Sequence, residues 1–562
     1  MNTSWKRTNY IIIGSICLHA ALLWYNFQRV PLTYGYDWPG HFSYLFYIAE
    51  HWRAPDVTIT PSYFNPPIYY YLVAAFSRVF AVPLVQAGLL FNQLLALLTI
   101  IGLTMIVRQW LGQRWQLVLL FMALYVSNPT LYRTLGMMRP EPLLLLVYVV
   151  ALGYVWVQSN REDVQWERVA ITLALIGAFA IGVRQWGGFL QIGLFCWLGF
   201  AYWQRSGAER SWKRLILLLL LEGGLFTILF LLIYTSLRGG QVLAFSAEQH
   251  AIDSEFVLRL ELETLFSMPI RPNLNYRFWP LLYADYWGDY WRYWRESYGH
   301  SGAPNSPQRE MALRWAMWGG LPATLLLFGG LWQARPKLTK ARNVASLFVW
   351  STFVVAIIGY LLFAAWFAEF GKGDTVKSVY LLYLIPLGAW LITDFVSRWR
   401  RPLIPVLIVV IGLLPTMSSA FYLPAPNMFS RTWEQPVVAQ PLDVQIGDAY
   451  MLTGYELNSA ENDLVVTLVW RADAYTGKHY KVFVHALGQD GTPVAQSDAI
   501  PAEWLRPTES WMLGEYVTDV HRLQISAEQQ AAIVAYHVGM YNRFSGERLI
   551  WEDGADHIVL QP

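Results

Sequence analysis

Residues 11–27 read IIIGSICLHAALLWYNF, and residues 34–53 read YGYDWPGHFSYLFYIAEHWR. The first stretch, with its flanks, is long and apolar enough to cross a bilayer, since a spanning helix needs about 20 mostly apolar residues. The second is too polar to cross, and it places Asp37 just before an aromatic segment with helical character. The pair predicts a membrane helix that delivers a carboxylate and a run of aromatic side chains to its far side.

The composition of the chain is that of a membrane protein. Of its 562 residues, 55% are hydrophobic and 14% are charged, whereas soluble domains carry about 25% charged residues. The net charge of +2 gives no reason to expect nucleic acid as a partner. Cys17 and Cys196 lie far apart in apolar runs, which argues against a disulfide framework or a cysteine metal site. No small-residue cleavage site follows the first apolar run, which is therefore predicted to be a retained helix.

Hydropathy predicts eleven crossings of the membrane. Loops rich in Lys and Arg alternate along the chain, and all of them fall in the cytoplasm if the N-terminus is inside. The prediction is a polytopic α-helical, multi-pass protein of the plasma (inner) membrane. The predicted crossings are residues 8–27, 86–107, 115–133, 141–158, 168–184, 187–204, 214–236, 312–333, 344–368, 376–396 and 403–422. The apolar segment 66–80 is too short to cross and is predicted to lie in the interface.

The chain divides into three predicted parts. Residues 1–423 form the membrane domain, whose long outer loops are 28–85 and 237–311. Residues 424–440 are a linker, and residues 441–562 have the composition of a soluble domain, which is predicted to be extracytoplasmic.

The predicted soluble domain has the pattern of an all-β sandwich. The stretches LVVTLVWRA, YKVFVHALGQDG and AYHVGMYNRFSGERL alternate apolar and polar residues between Gly, Asp and Asn turns. Its Trp470 and Trp511 are expected in the core, and binding of an acceptor glycan is the alternative role for this domain.

Polar residues gather at the predicted outer ends of several crossings. Together with Asp37 they suggest a site for an anionic, membrane-anchored ligand, because Arg and Lys pair well with phosphate oxygens. The alternatives are that Glu141 only complements a helix dipole and that the cations are snorkelling anchors. The residues concerned are Arg139, Glu141, Arg184, Lys372, Lys377 and Tyr380.

A second outer loop contains the aromatic run YADYWGDYWRYWRESYGHSG. Trp287, Trp291 and Trp294 recur at i, i+4 and i+7, which predicts an amphipathic aromatic helix. It is either an interfacial helix or a lid whose rings stack on a sugar. Asp285 and Asp289 share one face, where they are expected to be solvated or to touch sugar hydroxyls.

Four motifs resemble the GT-C class of membrane glycosyltransferases, in particular the group of the protein O-mannosyltransferases and aminoarabinose transferases. They are DWPGHFSYLFYIAEHW (37–52), NPPIYYYL (65–72), RTLGMMRPEP (133–142) and KSVYLLYLIP (377–386). The resemblance covers about residues 1–423. It implies inverting transfer of a sugar from a polyprenyl-phosphate donor to a lipid, glycan or protein acceptor at the outer face.

The resemblance also implies roles for single residues. Asp37 would act as the base that takes the acceptor's proton. Arg184, Lys377 and Arg139 would stabilise the leaving lipid phosphate. Glu141 is the second catalytic candidate, and it could hold the acceptor, orient the neighbours of Asp37 or bind a metal.

The remaining candidates for substrate binding are Lys372, Tyr380, His41, Trp287 and Trp291. No His/Asp cluster has metal-ligand spacing, so no cofactor is expected. Trp38 stands where a second acid is common in the family and the acid at the second landmark is Glu rather than Asp, which leaves a divalent cation open. A lipid-linked glycan transporter and a non-catalytic glycan-assembly protein are the alternative functions.

Overall fold

The computed structural model describes residues 3–28, 30, 38–56, 65–207, 210–238, 254–270, 273–274, 277–291, 307–335, 344–366, 376–420, 432–460, 463–474, 480–502, 506, 508, 511, 513–542 and 545–561. These residues form two compact units. The first is helical and runs from the N-terminus to Leu423, without the segment Val30–Phe46. The second comprises the described residues of that segment and of Pro424–Pro562.

The helices follow the predicted crossings closely. They are α1 (Thr3–Phe27), α2 (Trp38–His51), α3 (Ile68–Phe80), α4 (Leu84–Leu111), α5 (Trp115–Val126), α6 (Pro129–Leu135), α7 (Glu141–Asn160), α8 (Trp166–Val183), α9 (Gly187–Arg205), α10 (Trp212–Arg238), α11 (Ser254–Leu258), α12 (Leu262–Ser267), α13 (Phe278–Trp287), α14 (Pro307–Ala334), α15 (Val344–Trp366), α16 (Leu384–Val396), α17 (Leu403–Met417) and, in the second unit, α18 (Ala527–Ala531).

Among the described residues, seven helices are long and apolar enough to cross a membrane, and they lie within α1, α4, α7, α8, α10, α14 and α15. The chain is therefore an integral membrane protein. The other four predicted crossings correspond to α5, α9, α16 and α17, which are shorter or less apolar. The sidedness of the bundle stays a prediction.

One predicted crossing, residues 115–133, is wrong as a single helix. Helix α5 ends at Val126 and α6 begins at Pro129. The Asn128 side chain caps α6 by accepting a hydrogen bond from the N–H of Thr130 at 3.0 Å. The break follows from Pro129, whose missing N–H suits the first turn of a helix but not its interior. It turns α6 into a short, separate element that carries buried polar side chains.

Two glycines allow a close helix crossing in the first unit. A Cβ on Gly319 of α14 would overlap the carbonyl oxygen of Gly412 in α17, and one on Gly412 would lie 2.7 Å from the carbonyl oxygen of Gly319. Small residues at such contacts let backbones approach, which is how membrane helices gain packing energy without a hydrophobic driving force.

The second unit contains two antiparallel four-stranded sheets with the strand orders β1-β2-β3-β6 and β5-β4-β7-β8. The strands are β1 (Gln440–Ile446), β2 (Tyr450–Ala460), β3 (Asp463–Ala472), β4 (Tyr480–Gly488), β5 (Pro493–Ala499), β6 (Tyr516–Gln524), β7 (Ile533–Asn542) and β8 (Ile558–Leu560). Inward-facing residues of both sheets, among them Val466 and Val482, form one core that includes the buried Trp470 and Trp511. The predicted fold class is confirmed in both parts.

Candidate functional site

Glu141 lies between two arginines. It is the first residue of α7, and its side chain is fully buried. Nε of Arg139 lies 3.2 Å from Oε2 of Glu141, and Nη2 of Arg139 donates to Oε1 at 3.3 Å. Nε of Arg184, which follows the end of α8, lies 3.2 Å from Oε1. Glu141 therefore does more than complement the dipole of α7, because guanidinium groups contact both of its carboxylate oxygens.

Tyr380 completes this cluster. It lies in a 3-10 turn (Ser378–Leu381) that precedes α16. Its ring centroid is 5.3 Å from Cζ of Arg139 and 5.6 Å from Cζ of Arg184. The ring faces attract cations through their quadrupole, so a single tyrosine supports both guanidinium groups. Four predicted site residues, from three separate parts of the chain, thus lie together, and we call Arg139, Glu141, Arg184 and Tyr380 the arginine cluster.

The arginine cluster holds two buried cations and one buried anion. Arg139 and Arg184 are 1% and 7% exposed, and Glu141 supplies one negative charge against their two. Among the described residues, no hydrogen-bond partner is found for Nη1 of Arg184. A buried charge is costly unless it is paired and hydrogen-bonded. The arrangement is suited to receive an anion.

The NPPIYYYL motif stabilises the turn that precedes α7, next to this cluster. Tyr69 of α3 donates its hydroxyl to Oδ1 of Asn92 at 3.1 Å, and Nδ2 of Asn92 donates to the carbonyl oxygen of Met137 at 2.7 Å. The three residues belong to α3, α4 and the turn before α7, and both side chains are buried. This chain of hydrogen bonds holds the turn that presents Arg139.

A second buried cluster was missed in the sequence. Arg133 of α6 is fully buried, and its guanidinium lies 3.5 Å from Oδ1 of Asp285 and 3.8 Å from Oδ1 of Asp289. It also donates to the carbonyl oxygens of Asp285 and Gly288. Burial raises the pKa of Asp285, and the charge of Arg133 opposes that rise. Two features of the sequence could have indicated this cluster. One is an arginine in the short segment that Pro129 begins, and the other is a pair of acidic residues four positions apart.

The predicted solvated role of Asp285 and Asp289 is therefore wrong. Asp285 lies in the last turn of α13, which ends at Trp287, and Gly288 caps the helix by donating its N–H to the carbonyl oxygen of Ala284 at 3.0 Å. The predicted aromatic helix does not continue through residues 288–291, because glycine disfavours helix and Arg133 binds the backbone carbonyl at this point.

The lid interpretation fails for Trp287 and Trp291, since both indoles are buried. Trp287 packs against Gly320 of α14 and donates Nε1–H to Oγ1 of Thr324 at 3.0 Å. Trp291 donates Nε1–H to the carbonyl oxygen of Val376 at 2.9 Å. Neither ring is presented on a surface where a sugar could stack.

The other candidates are placed as follows. Lys377 directly precedes the 3-10 turn of Tyr380 and is half-buried. His41 is buried on α2 and belongs to the second compact unit, whereas the arginine cluster belongs to the first. Asp37 and Lys372 lie outside the described residues.

Within the part of the chain that the structure describes, no group of three or more His, Cys, Asp or Glu side chains could hold a metal ion. The residues that engage the carboxylate of Glu141 are cationic, and cations repel a metal rather than ligate it. Among the described residues, the side chains that contact the Glu141 carboxylate are therefore cations rather than further metal ligands.

Comparison with known proteins gives one match. Neither a family model nor a curated protein sequence matches the chain. The crystal structure of ArnT from Cupriavidus metallidurans bound to undecaprenyl phosphate is similar over 74% of this chain and 77% of that one, with a TM-score of 0.42 and 13% sequence identity.

Proposed function

We propose that the chain is a membrane glycosyltransferase that moves a sugar from a polyprenyl-phosphate donor to a lipid, glycan or protein acceptor at the extracytoplasmic face. The observation that carries the proposal is the arginine cluster, in which two buried guanidinium groups share one carboxylate. A phosphate suits a site with two guanidinium groups, because guanidinium groups bind its oxygens through short, charge-assisted hydrogen bonds.

The position of the cluster favours a phosphate that is attached to a lipid. Glu141 begins α7 and Arg184 follows the last residue of α8, and both helices are long and apolar enough to cross a membrane. A ligand at these helix ends lies at the boundary between hydrocarbon and headgroups. A polyprenyl tail could remain in the bilayer while its phosphate reaches the arginines.

The proposed reaction needs one base and a stabilised leaving group. The acceptor hydroxyl attacks the anomeric carbon, its proton passes to a carboxylate, and the bond between that carbon and the phosphate oxygen breaks. Asp37 is proposed as the base on the strength of its motif. Arg139, Arg184 and Lys377 are proposed to stabilise the phosphate that leaves, with Glu141 holding the two arginines in place.

The test uses the full chain reconstituted in liposomes with radiolabelled polyprenyl-phosphate sugars. Wild type is expected to release sugar from the lipid, Asp37→Asn to bind donor without turnover, and Arg184→Met to lose donor affinity. Arg214→Met is the matched control, because Arg214 pairs with Glu167 at the opposite end of α8. Equal turnover by wild type and Asp37→Asn would remove Asp37 from the mechanism.

A transporter of lipid-linked glycans is the second candidate, and one observation favours it. Glu222 is fully buried within the apolar helix α10, and Nε2 of Gln191 donates to its Oε1 at 2.5 Å. Ionisable groups inside membrane helices often mark transport pathways. Movement of the labelled lipid between leaflets without release of sugar would decide for the transporter.

A further inference from the structure

The segment that carries Tyr380, residues 376–381, is held at its backbone by side chains from other elements. Trp291 donates to the carbonyl oxygen of Val376 at 2.9 Å. The N–H of Lys377 donates to the hydroxyl of Tyr360 at 2.6 Å, and that hydroxyl donates to the carbonyl oxygen of Lys377 at 3.1 Å. Two successive residues are thus fixed by one indole and one phenol, neither of which belongs to the arginine cluster.

The next residue, Ser378, is fixed by the buried Arg133 cluster. Its N–H donates to Oδ2 of Asp285 at 2.7 Å. Its hydroxyl lies 2.9 Å from Oγ1 of Thr130 and accepts from Nη2 of Arg133 at 3.2 Å. All four side chains are buried. A serine two positions before Tyr380 is therefore bonded through both its backbone and its side chain.

These contacts connect the two buried clusters. Arg133 and Arg139 are joined by the short stretch between α6 and α7, and Ser378 and Tyr380 lie in one 3-10 turn. A rigid turn transmits a displacement of Ser378 to the ring of Tyr380, which contacts both arginines. The Arg133 cluster has no need to touch a ligand in order to affect one.

We propose that Arg133 and Asp285 are positioning residues, which lock residues 376–381 so that the ring of Tyr380 is set against Arg139 and Arg184. The locking of residues 376–381 is inferred from geometry alone. The expected effect on donor binding rests on the proposed function. Tyr360 and Trp291 are the auxiliary contacts of the same lock. Asp285 and Trp291 of the predicted aromatic lid are thus buried and hold residues 376–381 by hydrogen bonds.

The first experiment measures hydrogen–deuterium exchange in the reconstituted full chain without any ligand. Asp285→Ala is expected to speed amide exchange in residues 376–381 by about tenfold, because a hydrogen bond to a charged group is lost. Glu222→Ala is the matched control, since it truncates another buried carboxylate of the first unit that has no contact with this segment in the described structure. Tyr360→Phe removes a single hydroxyl and is also expected to speed amide exchange in residues 376–381. It serves as the test variant if Asp285→Ala does not fold.

Unchanged exchange in both Asp285→Ala and Tyr360→Phe would overturn the locking of the segment. The second experiment measures binding of polyprenyl phosphate in a double-mutant cycle of Asp285→Ala and Tyr380→Ala. If Asp285 acts through Tyr380, the double variant binds within about twofold of Tyr380→Ala alone. Additive losses would show that Asp285 has only a general structural role and would overturn the inference.

The two experiments separate this inference from the proposed function. If wild type binds no polyprenyl phosphate, the proposed function fails while the exchange measurement still decides whether the segment is locked. If wild type binds the lipid and exchange is unaffected by the variants, the proposed function stands and the positioning role falls.

Discussion

Arg184 and Glu141, which belong to neighbouring helices, form an ion pair in which Nε lies 3.2 Å from Oε1 and both side chains are buried. The pair joins the end of α8 to the start of α7. Arg139 contacts both oxygens of the same carboxylate, Oε2 through Nε and Oε1 through Nη2, so Glu141 pairs with two cations at once. The carboxylate offsets the cost of burying the two guanidinium groups, and these guanidinium groups give the site its capacity for an anion.

Arg184→Met is expected to weaken the binding of polyprenyl phosphate by about tenfold to a hundredfold. The reason is the loss of charge-assisted hydrogen bonds to phosphate, worth about 1.5–3 kcal/mol. Arg184→Lys keeps the charge but lacks the planar guanidinium group, and its affinity for polyprenyl phosphate is expected to lie between those of wild type and Arg184→Met. Binding measured by native mass spectrometry checks this, and an Arg184→Met affinity equal to that of wild type would contradict it.

Glu141→Ala is expected to lower the stability of the first unit by about 3–5 kcal/mol, because it removes the carboxylate that both buried guanidinium groups contact. Glu141→Asp keeps the charge and is expected to recover part of the loss. Unfolding in mixed micelles checks both variants. An unchanged midpoint for Glu141→Ala would mean that water reaches the arginines and that their burial is not maintained.

Gly319→Ala is expected to be destabilising, because its Cβ would meet the backbone carbonyl of Gly412, which cannot move without displacing α17. The expected loss is about 1–3 kcal/mol, as for overpacked cores. Gly224→Ala in α10 is the matched control, since its Cβ would meet nothing within 4 Å. That control is expected to be neutral or stabilising by up to about 1 kcal/mol, as in other helices. The same unfolding assay compares them.

His537 predicts a pH dependence in the second unit. Burial lowers the pKa of His537, and the neighbouring His557 and His485 act in the same direction, with Arg548 also lowering it and Asp556 raising it. Its ring stacks on that of His557 at 3.9 Å between centroids. The folded state therefore binds fewer protons than the unfolded state, so stability is complete above the ordinary pKa of about 6.5 and falls as the pH drops below it.

The measurement is amide exchange in β7 of the full chain between pH 7.5 and 5.0, corrected for the intrinsic pH dependence of exchange. Wild type is expected to lose protection toward low pH, and His537→Gln to show a flatter profile. Identical profiles would assign the pH response to other groups.

Much of the fold could be read from local patterns. Most predicted crossings fall on one helix, whereas 115–133 is divided between α5 and α6, and 376–396 begins with a 3-10 turn before α16. The alternation in LVVTLVWRA, YKVFVHALGQDG and AYHVGMYNRFSGERL predicts β3, β4 and β7. Four of the site candidates also lie together, because charged residues at the ends of adjacent membrane helices share one level of the bundle. The predictions were wrong where the environment of a polar side chain is set by a partner far away in the sequence.

Sequence alone determined a polytopic helical membrane domain followed by a β-sandwich, since hydropathy and alternation are properties of neighbouring residues. It also singled out the residues of the arginine cluster. Only the tertiary structure decided that Asp285 and Asp289 are buried against Arg133, and that Trp287 and Trp291 pack inside rather than outside. The physical reason is that a charge enters a protein interior only with a counterion, and the identity of that counterion is set by packing between elements far apart in the chain.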